Sequence, residues 1–374
     1  MSKLFTENTL TKVIKMKTDY KVLGNYIRVI DERNKNLSIT NLQGVSITKK
    51  FIPSIANIVG TDLSNYKIVR TGQFAYGPVT SRNGEKISIA YLEGEDCIIS
   101  SSYTVFEVEN KEELNPEYLM LWFSRPEFDR YARYKSHGSV REIFDWNELC
   151  MIELPVPTIE EQRNIVKAYK RIADRIVLKQ KINDNLEAQA EIIYNKMIVN
   201  NSANCEISTL EETSIIKTGK LNSEAAVANG MYPFFTCSQE TYHTNTFSFD
   251  QEAVLLAGNN ASAIYPLKIY SGKFDAYQRT YVISSKNKFV SNKQLYFVLK
   301  QQLNEFKGIS SGTATKFLTM KILAPIPIII ASEDIANSFV NVIDKIFEAI
   351  FQNQNEIEYL NELQTIILGE LSRY

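Results

Sequence analysis

Metal-binding side chains are scarce. The 374 residues hold two histidines, His137 and His243, and four cysteines, Cys97, Cys150, Cys205 and Cys237, with no C-x-x-C pair among them. That pattern excludes the common zinc frameworks and a disulfide scaffold, and it suits reduced thiols in a cytoplasm. Long apolar runs are also lacking. The longest, Ile322 to Ala331, carries two prolines and is too short to span a bilayer, so no membrane partner is expected. The opening MSKLFTENTLTKVIKMK has no apolar core of the kind a signal peptide needs. Neither charge sign dominates, with 42 basic against 43 acidic residues, so a nucleic-acid partner must be recognised by local patches.

Catalytic signatures are missing as well. There is no G-x-x-x-x-G-K-[ST] for a nucleotide phosphate and no G-x-G-x-x-G for a dinucleotide-type cofactor. Asn115-Pro116-Glu117-Tyr118 approaches the Asn-Pro-Pro-Tyr/Phe of amino-methyltransferases but lacks the second proline, and it reads as a helix cap. The acidic residues show no nuclease-like spacing. The expectation is a chain with no catalytic residues, no metal and no cofactor of its own.

What the chain does have is a long helix, starting after Leu154-Pro155-Val156-Pro157. Thr158 and Glu161 form a capping box, and no Gly or Pro follows until after Asn200. Ile165, Tyr169, Ile172, Ile176, Leu186, Ala190, Ile193 and Met197 fall on alternating steps of four and three, with Lys179 and Asn183 as a polar interruption. That is a heptad seam, and it needs a partner helix.

The partner lies 170 residues on. Ala324-Pro325-Ile326-Pro327 restates the Pro-x-Pro entry, and Ile335, Phe339, Val342, Ile346, Ala349, Asn353, Glu356, Leu360, Leu363 and Ile367 repeat the seam with its polar centre. An internal duplication follows. The blocks before the helices are β-rich, with strands expected within Tyr20–Ile30, Leu37–Thr48, Phe51–Val59, Lys67–Tyr76, Lys86–Tyr91 and Asp96–Val108 of the first. Phe74-Ala75-Tyr76-Gly77 aligns with Leu255-Leu256-Ala257-Gly258, and Tyr103–Phe106 with Arg279–Val282. The fold class expected is α+β: two β-rich blocks separated by two long antiparallel coiled-coil helices in a pseudo-twofold repeat. The divisions fall at 1–153, 154–200, 201–323 and 324–374. Each helix would be a rod of about 58 Å at ~1.5 Å per residue.

Polar loops recur at matching places in both blocks. In the first, Arg70, Gln73, Tyr76, Thr80, Arg82 and Asn83 form one stretch, and Arg130, Arg133, Lys135, His137, Ser139 and Arg141 another. The second block has Asn259, Asn260, Ser262, Tyr277, Gln278, Arg279, Ser310, Thr313, Thr315 and Lys316. Arg, Asn and Gln make bidentate contacts with base edges, while Lys, Ser and Thr suit phosphates. The recurrence of such loops at matching places in both blocks makes them candidate contacts with double-stranded DNA.

The order of elements, with GSVREIFDW, IELPVPTIEEQRNIVKAY and the DRI that follows, resembles the specificity subunit of type I restriction–modification systems. The likeness covers nearly the whole chain. The second copy departs from it, with Ile328–Ser332 in place of the acidic turn. The resemblance implies two target-recognition domains, each reading half of a split, asymmetric DNA target. It also implies two docked copies of a modification subunit, which methylates adenine with S-adenosylmethionine, and a translocating nuclease subunit that joins for restriction. Two other classes fit the same residues: the recognition subunit of a solitary DNA methyltransferase, and a coiled-coil scaffold whose globular ends bind proteins.

Overall fold

A computed structural model describes residues 20–54, 60–81, 83–138, 141–310 and 315–371. The chain divides into two compact units, residues 1–178 with 356–374, and residues 179–355. The division falls inside both long helices, Ile159–Met197 and Glu333–Glu370. No described helix is long and apolar enough to cross a membrane.

The first unit is built on a four-stranded antiparallel sheet in the order Ile27–Ile30, Thr104–Val108, Phe74–Tyr76, Ile89–Tyr91. One face of it buries aromatic rings. Phe74 stacks on Phe106 with centroids 4.9 Å apart, and Phe123 meets both edge-on. Phe123 comes from the Pro116–Phe123 helix, where Asn115 accepts from the backbone N–H groups of Glu117 and Tyr118 and Pro116 needs no partner at its first position. Pro126 starts the next helix, Pro126–Tyr134, so the chain bends at Ser124-Arg125 rather than continuing.

The second unit repeats this order. Ser214–Thr218, Thr280–Ser285, Phe249–Ala257 and Leu267–Ala276 are neighbours in that sequence, all antiparallel, and the Tyr232–Phe235 and Thr241–Thr244 hairpin extends the sheet to six strands. A single helix, Asn292–Ile309, covers it, capped by Ser291. Each unit also closes with a two-stranded antiparallel pair, Tyr20–Val22 with Glu153–Pro155 and Glu206–Thr209 with Pro327–Ile330. The duplication is thus carried by topology as well as by sequence.

Strand expectations between 37 and 59 were too generous. Leu37–Thr48 yields only Gln43–Val45, because Asn34 exchanges hydrogen bonds with both backbone groups of Ile39 and Leu37 takes a left-handed conformation with φ 55°. Phe51–Pro53 is a strand, and 55–59 lie outside the described residues.

The first long helix begins with the reciprocal bonds of a capping box: Thr158 N–H donates to Glu161, and Glu161 N–H donates to Thr158 Oγ1. Gln162 is fully buried and acts as a clamp. It accepts from Asn115 N–H at 2.8 Å and donates to the carbonyls of Glu113 and Pro157. In the second unit Gln294 serves instead, donating to the Ile329 carbonyl at 2.6 Å.

Within each unit the helices pair. Ile165, Val166 and Tyr169 share a cluster with Ile367, Leu368 and Leu371 in the first, and Tyr194 meets Phe339 edge-on at 6.2 Å in the second. The polar centre belongs to the second unit. Asn353 donates to Asn183 Oδ1 at 2.8 Å, Lys179 donates to Asn353 Oδ1 at 2.7 Å, and Asn183 faces the Ile350 carbonyl at 3.4 Å. Residue numbers rise on one helix as they fall on the other, so the pair is antiparallel. Ile176 and Leu360 are buried, and Ile172, Leu186, Ile193, Ile346 and Leu363 half-buried. Val342 departs from the expected seam, being 43% exposed while Ile343 is fully buried. The cause is a second neighbour. Phe347 packs its ring on Tyr296 and Phe297 of the covering helix, both at 5.9 Å, so the apolar stripe follows Phe339, Ile343 and Phe347 at the plain helical period.

Candidate nucleic-acid interface

In the second unit, three separate loops converge at one end of the sheet. Asn259 and Asn260 leave the long Phe249–Ala257 strand and pair antiparallel with Phe317 and Lys316. The turn at Tyr277–Arg279 crosses beside them. Gly258 N–H donates to the Arg279 carbonyl at 2.8 Å, and a Cβ at Gly258 would lie 2.5 Å from that oxygen, so only glycine permits the approach. The result is a cleft of about 600 Å³ whose lining includes Asn259, Asn260, Tyr277 and Thr315.

The side chains here differ in how free they are. Asn260 Oδ1 accepts from Ser262 N–H at 2.8 Å and holds the turn, which leaves its amide N–H₂ as a donor. Asn259 Oδ1 is buried without a hydrogen-bond partner. Gln278 is exposed, and the exposed Arg279 spreads its guanidinium over the Phe317 ring at 5.3 Å. Ser310 is buried, which argues against direct contact, and Thr313 lies outside the described residues. Thr236, Ser238 and Tyr242 of the second unit's hairpin also line the cleft. They were not singled out in the sequence, although the first unit has a hairpin at the same place in the chain order, Gln43–Val45 with Phe51–Pro53, whose Leu42 bridges in parallel to Ile98 much as Phe234 and Phe235 pair with Asp275 and Ala276.

The first unit makes the same junction with different residues. Val79 and His137 both bridge to Ile143, Thr80 N–H donates to the Glu142 carbonyl, and Thr80 Oγ1 lies 2.8 Å from Ser136 Oγ. Gly138 takes φ 139°, and a Cβ there would sit 2.1 Å from the Arg141 carbonyl, which explains the glycine of the GSVRE segment. Exposed on this loop are Arg133, His137 and Arg141, with Asn83 half-exposed beside it. Arg133 pairs with Glu142, and Lys135 lies 3.3 Å from Glu148, whose hydrogen bond raises the lysine's pKa. Arg82 and Ser139 lie outside the described residues.

Four first-unit residues expected at the interface are structural. Tyr76 is fully buried among Phe106 and Phe144. Gln73 is buried, accepting from Arg70 N–H at 2.8 Å and donating to Glu107 at 2.9 Å. Arg70 is held between Glu32 and Asp96, whose hydrogen bonds raise its pKa further. Thr80 is buried too and serves the loop junction. Among the described residues no cluster of His, Cys, Asp and Glu could hold a metal ion.

The chain is similar to known proteins. The family model described as the type I restriction modification DNA specificity domain matches the chain twice, over residues 6–188 and 203–366, and the chain belongs to that family. It is 31% identical over 157 residues to the type I restriction enzyme EcoDI specificity subunit of Escherichia coli, a match spanning 41% of this chain and 34% of that protein. The chain thus spans about a third of that relative's length. It is 23% identical over 293 residues to the MjaIX specificity subunit of Methanocaldococcus jannaschii, 68% of each. The crystal structure of a type I restriction–modification S subunit from M. genitalium shares the fold at 14% identity with a TM-score of 0.56, covering 95% of this chain and 96% of that one.

Proposed function

We propose that this chain is the DNA-specificity subunit of a type I restriction–modification complex, with each unit reading one half of a bipartite, asymmetric target. The observation that carries the reading is the repeated loop junction. The same strand order delivers Asn260, Gln278, Arg279 and Lys316 in one unit and Asn83, Arg133, His137 and Arg141 in the other. Asn and Gln amides and Arg forks suit base edges, and the lysine suits phosphate.

Catalysis would come from two copies of a modification subunit that bind S-adenosylmethionine and methylate adenine, with a translocating nuclease subunit joining for restriction. The chain alone would be catalytically silent, and its place of work cytoplasmic. The test is methyl transfer from labelled S-adenosylmethionine to duplex DNA. Activity is expected only when a modification subunit is added, and transfer by the isolated chain would overturn the reading.

A further inference from the structure

The bend between the two short helices of the first unit hides a cation. Arg125 is 3% exposed, and its guanidinium lies 4.0 Å over the Trp122 ring. Among the described residues the one carboxylate in ion-pair range is Glu127, at 3.6 Å, and that side chain is itself 50% exposed. Arg125 Nε is buried with no hydrogen-bond partner. A buried guanidinium normally spends its five N–H donors on hydrogen bonds, because desolvating the charge without them is costly. Here burial outweighs Glu127 and lowers the group's pKa, so the charge is under-compensated.

This arginine lines a pocket of about 460 Å³ whose other walls include Tyr20, Trp122, Phe128, Tyr131 and Met151, with Glu127 and the exposed Glu153 also on its lining. Met151 is 55% exposed, so the apolar lining extends to the surface. The feature belongs to the first unit. Ten residues from its cap the second unit's covering helix runs on unbroken, and the matching residue, Gln301, donates to Asn195 at 2.9 Å.

We propose that the pocket binds a carboxylate borne on an apolar body, presented as the C-terminal residue of a partner polypeptide. The planar fork of Arg125, steadied on Trp122, suits bidentate recognition of a carboxylate. The aromatic walls and the volume exceed what an aspartate or glutamate side chain would fill, whereas a terminal phenylalanine or leucine offers the carboxylate and the apolar group on one α-carbon. Glu127, being half-exposed, swings toward solvent as the ligand enters. The proposal is independent of the DNA reading, since none of these residues belongs to the loop junction.

The test is isothermal titration of the full chain with a glycine/serine hexapeptide ending in phenylalanine, its C-terminal amide, and N-acetylphenylalanine. The free acid should bind about tenfold or more tighter than the amide, the loss expected when a charge-assisted pair is removed. Arg125→Lys, which keeps the charge but not the fork, should erase most of that preference. Hexapeptide binding at least several-fold tighter than N-acetylphenylalanine supports a polypeptide ligand, while equal binding overturns that part in favour of a small acid. Equal affinity for acid and amide, or no binding by the wild-type chain, overturns the carboxylate site itself.

Discussion

Residues of one chemical type serve two ends in this molecule, and partners distinguish them. Gln73 and Gln278 are both amides near sheet ends. Gln73 is buried and bonded to Arg70 N–H and Glu107, whereas Gln278 is exposed. Sequence alone could place both near loops but could not see the partners that claim Gln73, because Glu107 comes from 34 residues away. Gln73→Ala is therefore expected to lower stability by about 1–3 kcal/mol, the cost of stranding buried partners, and to leave DNA sequence preference unchanged. Chemical denaturation and binding to a half-site library would check both parts. A relaxed sequence preference with normal stability would return Gln73 to the interface.

Lys268 shows the converse, a charge the fold tolerates poorly. It donates to Thr241 Oγ1 at 2.9 Å, yet burial pushes its ammonium down to about 8. A folded pKa below the unfolded value means the unfolded chain binds more protons between the two. Stability should therefore rise as pH climbs from about 8 towards about 10.5, and below about 8 the penalty is fully present. Lys268→Met should raise Tm at pH 7, with the gain fading by pH 10.5. An equal gain at both pH values would assign the effect to packing.

Elements were more legible than residues. Short-range rules acted unopposed at the Asn115 cap and at the Thr158–Glu161 box, and the helices begin where those rules put them. The seam was legible where each helix had one neighbour, and Val342 failed because the second helix has another. The clamps of Gln162 and Gln294 were invisible, since a glutamine near a helix start gives no sign of burial.

The polar centre yields an element-scale prediction. Asn353→Leu takes away the donor to Asn183 Oδ1 and the acceptor for Lys179, and should destabilise by about 1–3 kcal/mol. Replacing Lys179, Asn183 and Asn353 together by leucine should recover that loss, because an apolar seam has no polar group left to satisfy. Urea titration of the two variants decides it. A single Asn353→Leu that stabilises the chain would show the asparagine pair to be incidental.

At the scale of the whole molecule, the duplication is the central fact. Two units share one strand order and one loop junction but fill the junction with different side chains, so they would read different bases with the same architecture. The duplication was legible in the sequence because the Pro-x-Pro entries and seams repeat at a fixed offset. Which bases the proposed reading would involve was not legible, because the loop side chains are where the copies diverge.

The direct test is methylation-site mapping with the modification subunit present, comparing wild type with Gln278→Ala/Arg279→Ala and with Arg133→Ala/Arg141→Ala. Removing a side chain that pairs bidentately with a base edge should relax discrimination by about 1–3 kcal/mol at the position it reads. The account predicts that each double variant becomes degenerate in one half-site, a different half for each, with the other half unchanged. Degeneracy in both halves from either variant, or full preference retained by both, would contradict it.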